Sequence, residues 1–368
     1  MGLVKGRAEP TATASFASRA IERHHFPAGH FRIAPGGLTV SSLGVGTYLG
    51  AVDAPTDRAV EEAVGLCLRS GRVNVVDTAI NYRFQRAERS VGRALTRAVE
   101  AGAVQRQEVF VATKGGYLAP DAESGLSGTD WIDRELIRPG ILARRDIVDD
   151  SHAMAVGYLE DQYERSRANL GLEQLDLLYL HNAPDAQLPI VGRRTFLERL
   201  TEAFGLYERL RKDGGIGAYG LATWDSLRAP RTDPSYLSLE EAVTVAREVG
   251  GTDHGFRFIQ FPFSLGMSEA AELRNQAVQG ERRTLFEAAA QLGLGCFTSV
   301  PLLQGQYARS GPEFEGLTRA QTAIQFARSA PGTLAPLVGQ KQPAHLSENL
   351  RLAELPPWGP EEFRRHLA

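Results

Sequence analysis

The sequence predicts an α/β protein of the (β/α)8 TIM-barrel class, carrying an N-terminal β-hairpin and a long insert after the third strand. Three observations support this. Apolar runs of strand length alternate with segments of helical apolar spacing, eight times over. The repeat fills most of a 368-residue chain, a length that suits one barrel. Three of the apolar runs end on an ionisable residue. Asn74-Val75-Val76 ends on Asp77, Val109 to Thr113 on Lys114, and Leu175 to Leu180 on His181. In a parallel barrel the carboxyl ends of the strands converge on one face, where sites are built. The runner-up, an open doubly wound sheet, needs a phosphate-binding glycine fingerprint. Gly50 falls one residue late for that spacing after Gly44 and Gly46.

In chain order, residues 1–29 read as an irregular N-terminal extension, rich in Ala, Arg and polar residues. His24, His25 and His30 lie around its end, without the cysteines or further histidines of a metal site. Phe31-Arg32-Ile33 and Leu38-Thr39-Val40 flank a Pro-Gly-Gly turn and read as a hairpin. Leu43 to Thr47 is the first barrel strand. A helix over Asp57 to Ser70, capped by Thr56 or Asp57, leads to the Asp77 strand. A helix over Glu88 to Glu100 leads to the Lys114 strand. Residues 115–150 break the rhythm with Gly115-Gly116, Pro120, Gly125, Gly128 and Pro139-Gly140. An insert of this length, leaving a strand's carboxyl end, is a candidate lid. The spacing then predicts helices over Ser151–Leu170, Thr195–Lys212, Leu239–Val249, Glu281–Leu292, Leu317–Ala330 and Pro343–Glu354. Between them lie strands over Leu175–His181, Ile216–Thr223, Phe256–Phe261, Gly295–Val300 and Leu334–Gly339. The barrel thus occupies 30–354, and 355–368 is a tail with room for one short helix.

Composition is globular, 43% hydrophobic and 23% charged. A net charge of −3 gives no reason to expect nucleic acid or an anionic membrane as partner. No apolar run approaches a membrane span, and the start lacks the apolar core of a signal peptide. With only Cys67 and Cys296, the expectation is two buried free thiols in a cytoplasmic protein. The sequence leaves the oligomeric state open.

Asp77, Lys114 and His181 share the predicted face with Tyr82, five residues beyond Asp77. A phenol has a pKa of about 10 and exchanges protons poorly near neutrality. An adjacent ammonium favours the phenolate, so Lys114 is expected to lower the pKa of Tyr82. Asp77 would hold the lysine charged and oriented. A neutral His181 would hydrogen-bond a substrate oxygen. This set protonates a carbonyl as hydride arrives, or deprotonates an alcohol as hydride leaves. Side chains supply no hydride, so a nicotinamide cofactor is required.

The motifs Val76-Asp77-Thr78-Ala79 with Tyr82, Ala112-Thr113-Lys114, Tyr179-Leu180-His181-Asn182 and Glu88 to Gly92 resemble the aldo-keto reductase superfamily. The resemblance runs from about Phe31 to Glu354. It implies a (β/α)8 barrel that interconverts a carbonyl (aldehyde, ketone or sugar) and an alcohol, usually with NADP, NAD being the alternative. It implies Tyr82 as general acid–base, Lys114 and Asp77 as its tuning pair, and His181 as the group orienting the carbonyl. It also implies a cofactor cradle of Gly46, Thr47, Tyr48, Thr223, Gln260, Ser299, Val300, Pro301, Leu302, Gly339, Gln340, Lys341, His345, Glu348 and Asn349. Within that set Thr223 stands for the usual asparagine, Ser299 for an aromatic ring and His345 for an arginine, leaving Lys341 as the cation for a 2′-phosphate. Arg83-Phe84-Gln85-Arg86 is bulkier and more basic than the family's glycine-containing run. It reads either as a solvated loop or as a contact for an acidic or phosphorylated substrate. A second reading of the whole, a cofactor-binding regulatory subunit like the superfamily's potassium-channel β subunits, draws on the altered cradle and the insert.

Overall fold

The computed structural model describes residues 2–314 and 316–367. Met1 of the extension and Ala368 of the tail lie outside the described residues. Eight parallel strands close into a barrel in chain order. They are β1 Gly44–Gly46, β2 Val75–Asp77, β3 Phe110–Gly115, β4 Leu175–His181, β5 Ile216–Ala222, β6 Phe256–Pro262, β7 Gly295–Ser299 and β8 Thr333–Gly339. β8 pairs with β1, and β5 with β6, completing the ring. The main helices are α1 Pro10–His24, α2 Ala54–Arg69, α3 Arg86–Glu100, α4 Val156–Leu170, α5 Ala183–Lys212, α6 Leu239–Gly250, α7 Leu285–Gln291, α8 Arg319–Ser329, α9 Pro343–Leu350 and α10 Pro360–Leu367.

The two-residue period of a strand decides what enters the barrel. Val75 then Asp77, Phe110, Ala112 then Lys114, and Leu177, Tyr179 then His181 are the alternate residues of three neighbouring strands. Their apolar members pack as one inner cluster, where the rings of Phe110, Phe258 and Phe297 lie 5.5–5.9 Å apart. The last member of each series is the ionisable one, so all three emerge at the carboxyl end. Gly220 in β5 is required here. A Cβ would fall on the Phe258 carbonyl oxygen and the Tyr179 ring, both inside the wall. The opposite end is closed by the hairpin of Phe31–Ile33 and Thr39–Ser41, whose Ala34, Leu38 and Val40 join the inner cluster.

The structure departs from the sequence expectation at several places. The N-terminal extension is not irregular. Thr13, Phe16, Ala17 and Ala20 of α1 form a buried stripe, and Phe16 meets Phe31 at 6.1 Å. His30 is buried and bonds the Arg72 carbonyl at 2.9 Å. Among the described residues no three His, Cys, Asp or Glu side chains group as a metal site. α2 is capped by Asp53, which accepts from the Thr56 amide at 2.8 Å, rather than by Thr56 or Asp57. α4 starts only at Val156, because His152–Ala153 pairs with Ile147–Val148 as a ribbon. α5 starts early, at Ala183, and breaks at Gly192 (φ 77°). Glu281–Arg283 pairs with Gln276–Val278, so α7 begins after Thr284, whose capping box with Glu287 marks the true start.

Residues 115–150 hold a short helix, Gly128–Ile132, and the ribbon strand. The insert's Trp131, Leu136 and Leu142 are buried together with Ala153 and Tyr158. Ile132 and Ile137 pack partly buried against them, so the apolar residues of the insert form a small core of their own. No helix among the described residues is long and apolar enough to cross a membrane. Cys67 and Cys296 are free and buried.

At the barrel base, Asp176 accepts from the Ala8 amide at 2.5 Å, the Val111 amide at 2.7 Å and Arg106 at 2.8 Å. The Asp176 and Arg106 side chains are each 2% exposed. Removing one partner of such a pair leaves a buried charge. Asp176→Ala is therefore expected to lower unfolding free energy by about 3–5 kcal/mol, measured by urea titration. A loss under about 1 kcal/mol would refute this account of the base.

Candidate active site

Asp77 ends β2, Lys114 lies near the end of β3 and His181 ends β4, while Tyr82 stands in the loop after Asp77. The structure brings the four together. The Lys114 ammonium is fully buried and has three N–H donors. They reach Asp77 Oδ1 at 2.6 Å, the Thr78 carbonyl at 2.8 Å and the Tyr82 phenolic oxygen at 3.2 Å. The phenol thus accepts from lysine through its oxygen, which leaves its own hydrogen free to donate. The second Asp77 oxygen accepts from the Gln260 amide at 2.8 Å, and the Thr47 hydroxyl donates to the Asp77 carbonyl at 3.1 Å.

Burial acts on all four. It raises the pKa of Asp77 and lowers that of Lys114, while their mutual contact opposes both shifts and holds the pair charged. Burial, then the Asp77 charge, pushes Tyr82 well above its ordinary value. The expectation of a lowered phenol does not hold. The lysine is already neutralised by Asp77, so its attraction for a phenolate does not outweigh desolvation. His181 is pushed well below its ordinary value by burial first and the Lys114 charge second. Its imidazole is neutral. Nδ1 is buried without a partner. A bare acceptor there is tolerated better than an orphaned N–H, so the proton belongs on Nε2. The His181 ring stands edge-on to Tyr82 at 5.7 Å and to Tyr117 at 5.1 Å. Behind it, His152 Nε2 donates to the His181 carbonyl at 2.8 Å, and Gln187 lies 3.0 Å from His152 Nδ1.

The four surround one end of a cavity of about 350 Å³. Asp77, Tyr82 and His181 line it, with Lys114 sealed behind. Twelve cradle residues suggested by the resemblance line the same cavity: Gly46, Thr47, Tyr48, Thr223, Gln260, Ser299, Val300, Pro301, Leu302, Gly339, Gln340 and Lys341. The other three do not. His345 is exposed on α9, Glu348 accepts from the Thr318 hydroxyl, and Asn349 donates to Gln340 at 3.0 Å, steadying a lining residue. Lys341 donates to the Leu49 carbonyl at 2.9 Å and so bridges the loops after β8 and β1. One Gln260 N–H is committed to Asp77, leaving its amide oxygen and second N–H to bond elsewhere.

Sequence reasoning did not select Leu49, Asn81, Tyr117, Asn182, Trp224 and Gln304, which also line the cavity. Asn81 and Asn182 adjoin selected residues; nothing local marked Tyr117 or Trp224. The Asn81 Oδ1 and Thr223 Oγ1 atoms are buried without partners. Arg83 and Arg86 do not line the cavity; Arg83 is buried and Arg86 partly exposed. Both pair with Asp57 of α2.

The donor set fits a nicotinamide dinucleotide. Small and polar residues at the carboxyl ends of the strands surround one cavity, an orphaned hydroxyl and an amide oxygen suit a carboxamide, and Lys341 suits a phosphate. A parallel barrel with this cluster at its carboxyl mouth is the build of a barrel oxidoreductase. The chain belongs to the aldo/keto reductase family, whose match spans residues 42–235. It is 28% identical over 197 residues to a D-threo-aldose 1-dehydrogenase of Pseudomonas sp., which is 52% of each chain, so it spans about half the length of that curated relative. Among solved structures it resembles a holo-form aldo-keto reductase of Bacillus halodurans (TM-score 0.60, 19% identity, 92% and 94% of the two chains). It also resembles an aldo/keto reductase of Klebsiella pneumoniae in complex with NADP and acetate (0.59, 18%, 92% and 94%). A glycerol dehydrogenase of Gluconobacter oxydans is similarly close (0.59, 18%, 93% and 94%).

Three buried histidines make stability pH-dependent. Burial lowers His30 to about 3 and His152 to about 4, and His181 well below its usual value. All are neutral when folded and charge in the unfolded chain below about pH 6.5. The unfolded state then binds more protons, so stability present above that pH is lost as pH falls. The three contribute about 4 kcal/mol per pH unit near pH 5. Urea midpoints measured at pH 7, 6 and 5 are expected to fall steeply below 6. An unchanged midpoint at pH 5 would contradict it.

Proposed function

We propose that the protein is an NADP(H)-dependent oxidoreductase that interconverts a carbonyl and an alcohol, with Tyr82 as general acid–base. The observation that carries this reading is the Lys114 geometry: its third N–H meets the phenolic oxygen, so the phenol hydrogen is free for a substrate oxygen. When bound, the nicotinamide supplies or accepts the hydride. Tyr82 donates its proton to the carbonyl oxygen as negative charge develops there. The phenolate left behind already faces the lysine ammonium, which is held by Asp77. The neutral His181, donating from Nε2, hydrogen-bonds the same substrate oxygen and fixes its approach. In the oxidative direction the phenolate takes the alcohol proton. Thr223, Gln260 and Ser299 would hold the carboxamide end, and Lys341 the phosphate end; NAD is the alternative cofactor.

The substrate reading is an uncharged polyhydroxylated aldehyde or its alcohol, such as an aldose. Tyr48, Tyr117 and Trp224 offer ring faces, and Asn81, Asn182 and Gln304 offer amides. Among the described lining residues, the charges are Asp77, engaged by Lys114 and Gln260, and Lys341, tied to Leu49. The activities named for the Pseudomonas and Gluconobacter relatives support the same class.

The deciding experiment is turnover of an aldose, glycerol-type and simple aldehyde panel with NADP(H) and NAD(H), for the native chain and Tyr82→Phe. Native turnover is expected, reduced roughly 100-fold or more by the substitution. No turnover across the panel, or an unimpaired Tyr82→Phe protein, refutes the reading.

The raised phenol sets the pH dependence. Tyr82 keeps its proton through neutrality, so the kcat/KM of reduction is expected to stay flat from pH 6 to 9. Oxidation needs the phenolate, whose population rises about tenfold per pH unit below its pKa, and should rise with that slope over the same range. A flat oxidation profile would exclude Tyr82 as the base.

A further inference from the structure

No glycine lies between Tyr82 and Ala87. The backbone after Tyr82 nevertheless runs left-handed at three successive residues, Arg83 (φ 49°), Phe84 (φ 54°) and Gln85 (φ 73°). Side-chain-bearing residues rarely adopt this conformation even singly, and a run of three persists only where its surroundings hold it. Tyr82 sits inside the turn. Its amide bonds the Ala79 carbonyl at 3.0 Å, the Ala87 amide bonds its carbonyl at 3.3 Å, and Gln85 bonds back to Ile80 at 2.9 Å.

The holding groups are visible. Asp57, in the first turn of α2, divides its carboxylate between Arg83, which opens the run, and Arg86, which follows it. Oδ1 accepts from Arg83 at 2.5 Å and Oδ2 from Arg86. Arg83 also donates to the Ser90 hydroxyl at 3.3 Å. The Arg83 and Asp57 side chains are 1% and 9% exposed. Gln85 is tied separately, donating to the Ala119 carbonyl at 2.8 Å and accepting from Asn169 at 3.2 Å. Phe84, the middle residue, is 48% exposed. A buried ion pair contributes little net stability, because desolvation offsets its attraction; its use is to select one geometry.

We propose that Asp57 is a positioning residue for Tyr82: by clamping Arg83 and Arg86 it holds the left-handed turn that sets the phenol against Lys114. The need is geometric. A phenol displaced by about 1 Å from its 3.2 Å contact would lose most of its catalytic value. Glycine adopts positive φ without strain, so a turn built on glycine would need no clamp. The inference rests on Tyr82 being the acid–base group, and its test carries one readout independent of turnover.

The test uses Asp57→Asn in the full chain. Backbone hydrogen exchange across 80–87 is expected to accelerate roughly tenfold, with β4 unchanged. With the best substrate of the panel, kcat should fall roughly 10- to 100-fold while KM stays within about threefold. The solvent deuterium isotope effect on kcat should rise as proton transfer becomes limiting. Adding Arg83→Gly to Asp57→Asn should restore both protection and most of kcat. Wild-type exchange in the turn, acceleration spread evenly over the barrel, or a double variant no better than the single one would overturn the proposal. If Asp57→Asn alone does not fold, Arg83→Gly supplies the same comparison. Exchange at Gln85 should then be insensitive to adding Asp57→Asn, and sensitivity would overturn the clamp. Unimpaired turnover in Tyr82→Phe would refute the acid–base reading, while the exchange data would still judge the clamp.

Discussion

A fully buried ammonium is the constraint around which the mouth of this barrel is arranged. Removing Lys114 from water costs several kcal/mol, and an unpaired charge at that depth would not persist. Three acceptors at 2.6, 2.8 and 3.2 Å meet its three donors. One is a carboxylate, one a backbone carbonyl and one the phenol. Asp77 can serve only because Gln260, from β6 across the barrel, satisfies its other oxygen. The register that pairs β2 with β3, and the alternation that turns both residues inward, are preconditions for this pairing.

The same arrangement defines the chemistry open to the cavity. Because the ammonium is already balanced by Asp77, it does not draw the proton from the phenol, and burial keeps Tyr82 protonated. His181 stays neutral, because burial and the nearby lysine suppress its protonation. The cavity wall offers aromatic rings and amides, and its two charges, Asp77 and Lys341, are already engaged.

The barrel was legible in the sequence because its signals are local. Eight apolar runs and intervening helical spacing survive without knowledge of contacts, and the ionisable ends of β2, β3 and β4 pointed to the mouth. Less legible were features whose cause lies elsewhere in the chain. α1 carries a readable stripe at Thr13, Phe16, Ala17 and Ala20, but only the hairpin beneath it explains why that stripe is buried. Thr284 and Glu287 offered a local capping signal, while pairing with Gln276–Val278 decides that Glu281–Arg283 is strand. Arg83 and Arg86 looked like solvent-facing or substrate-facing cations. Their shared partner, Asp57, lies 26 residues before Arg83 and 29 before Arg86, on α2.

The sequence by itself determined the barrel class, the strand order and the identity of the four residues at the mouth. Periodicity and strand-end chemistry are properties of short segments, and a parallel barrel turns them into position. Tertiary structure alone decided that Tyr82 is raised rather than lowered, that Gln260 holds Asp77, that His345 lies off the cavity, and that the turn after Tyr82 is left-handed without glycine. Each of these depends on burial or on a partner distant in the chain. Desolvation and charge pairing are sums over neighbours that only the closed fold supplies.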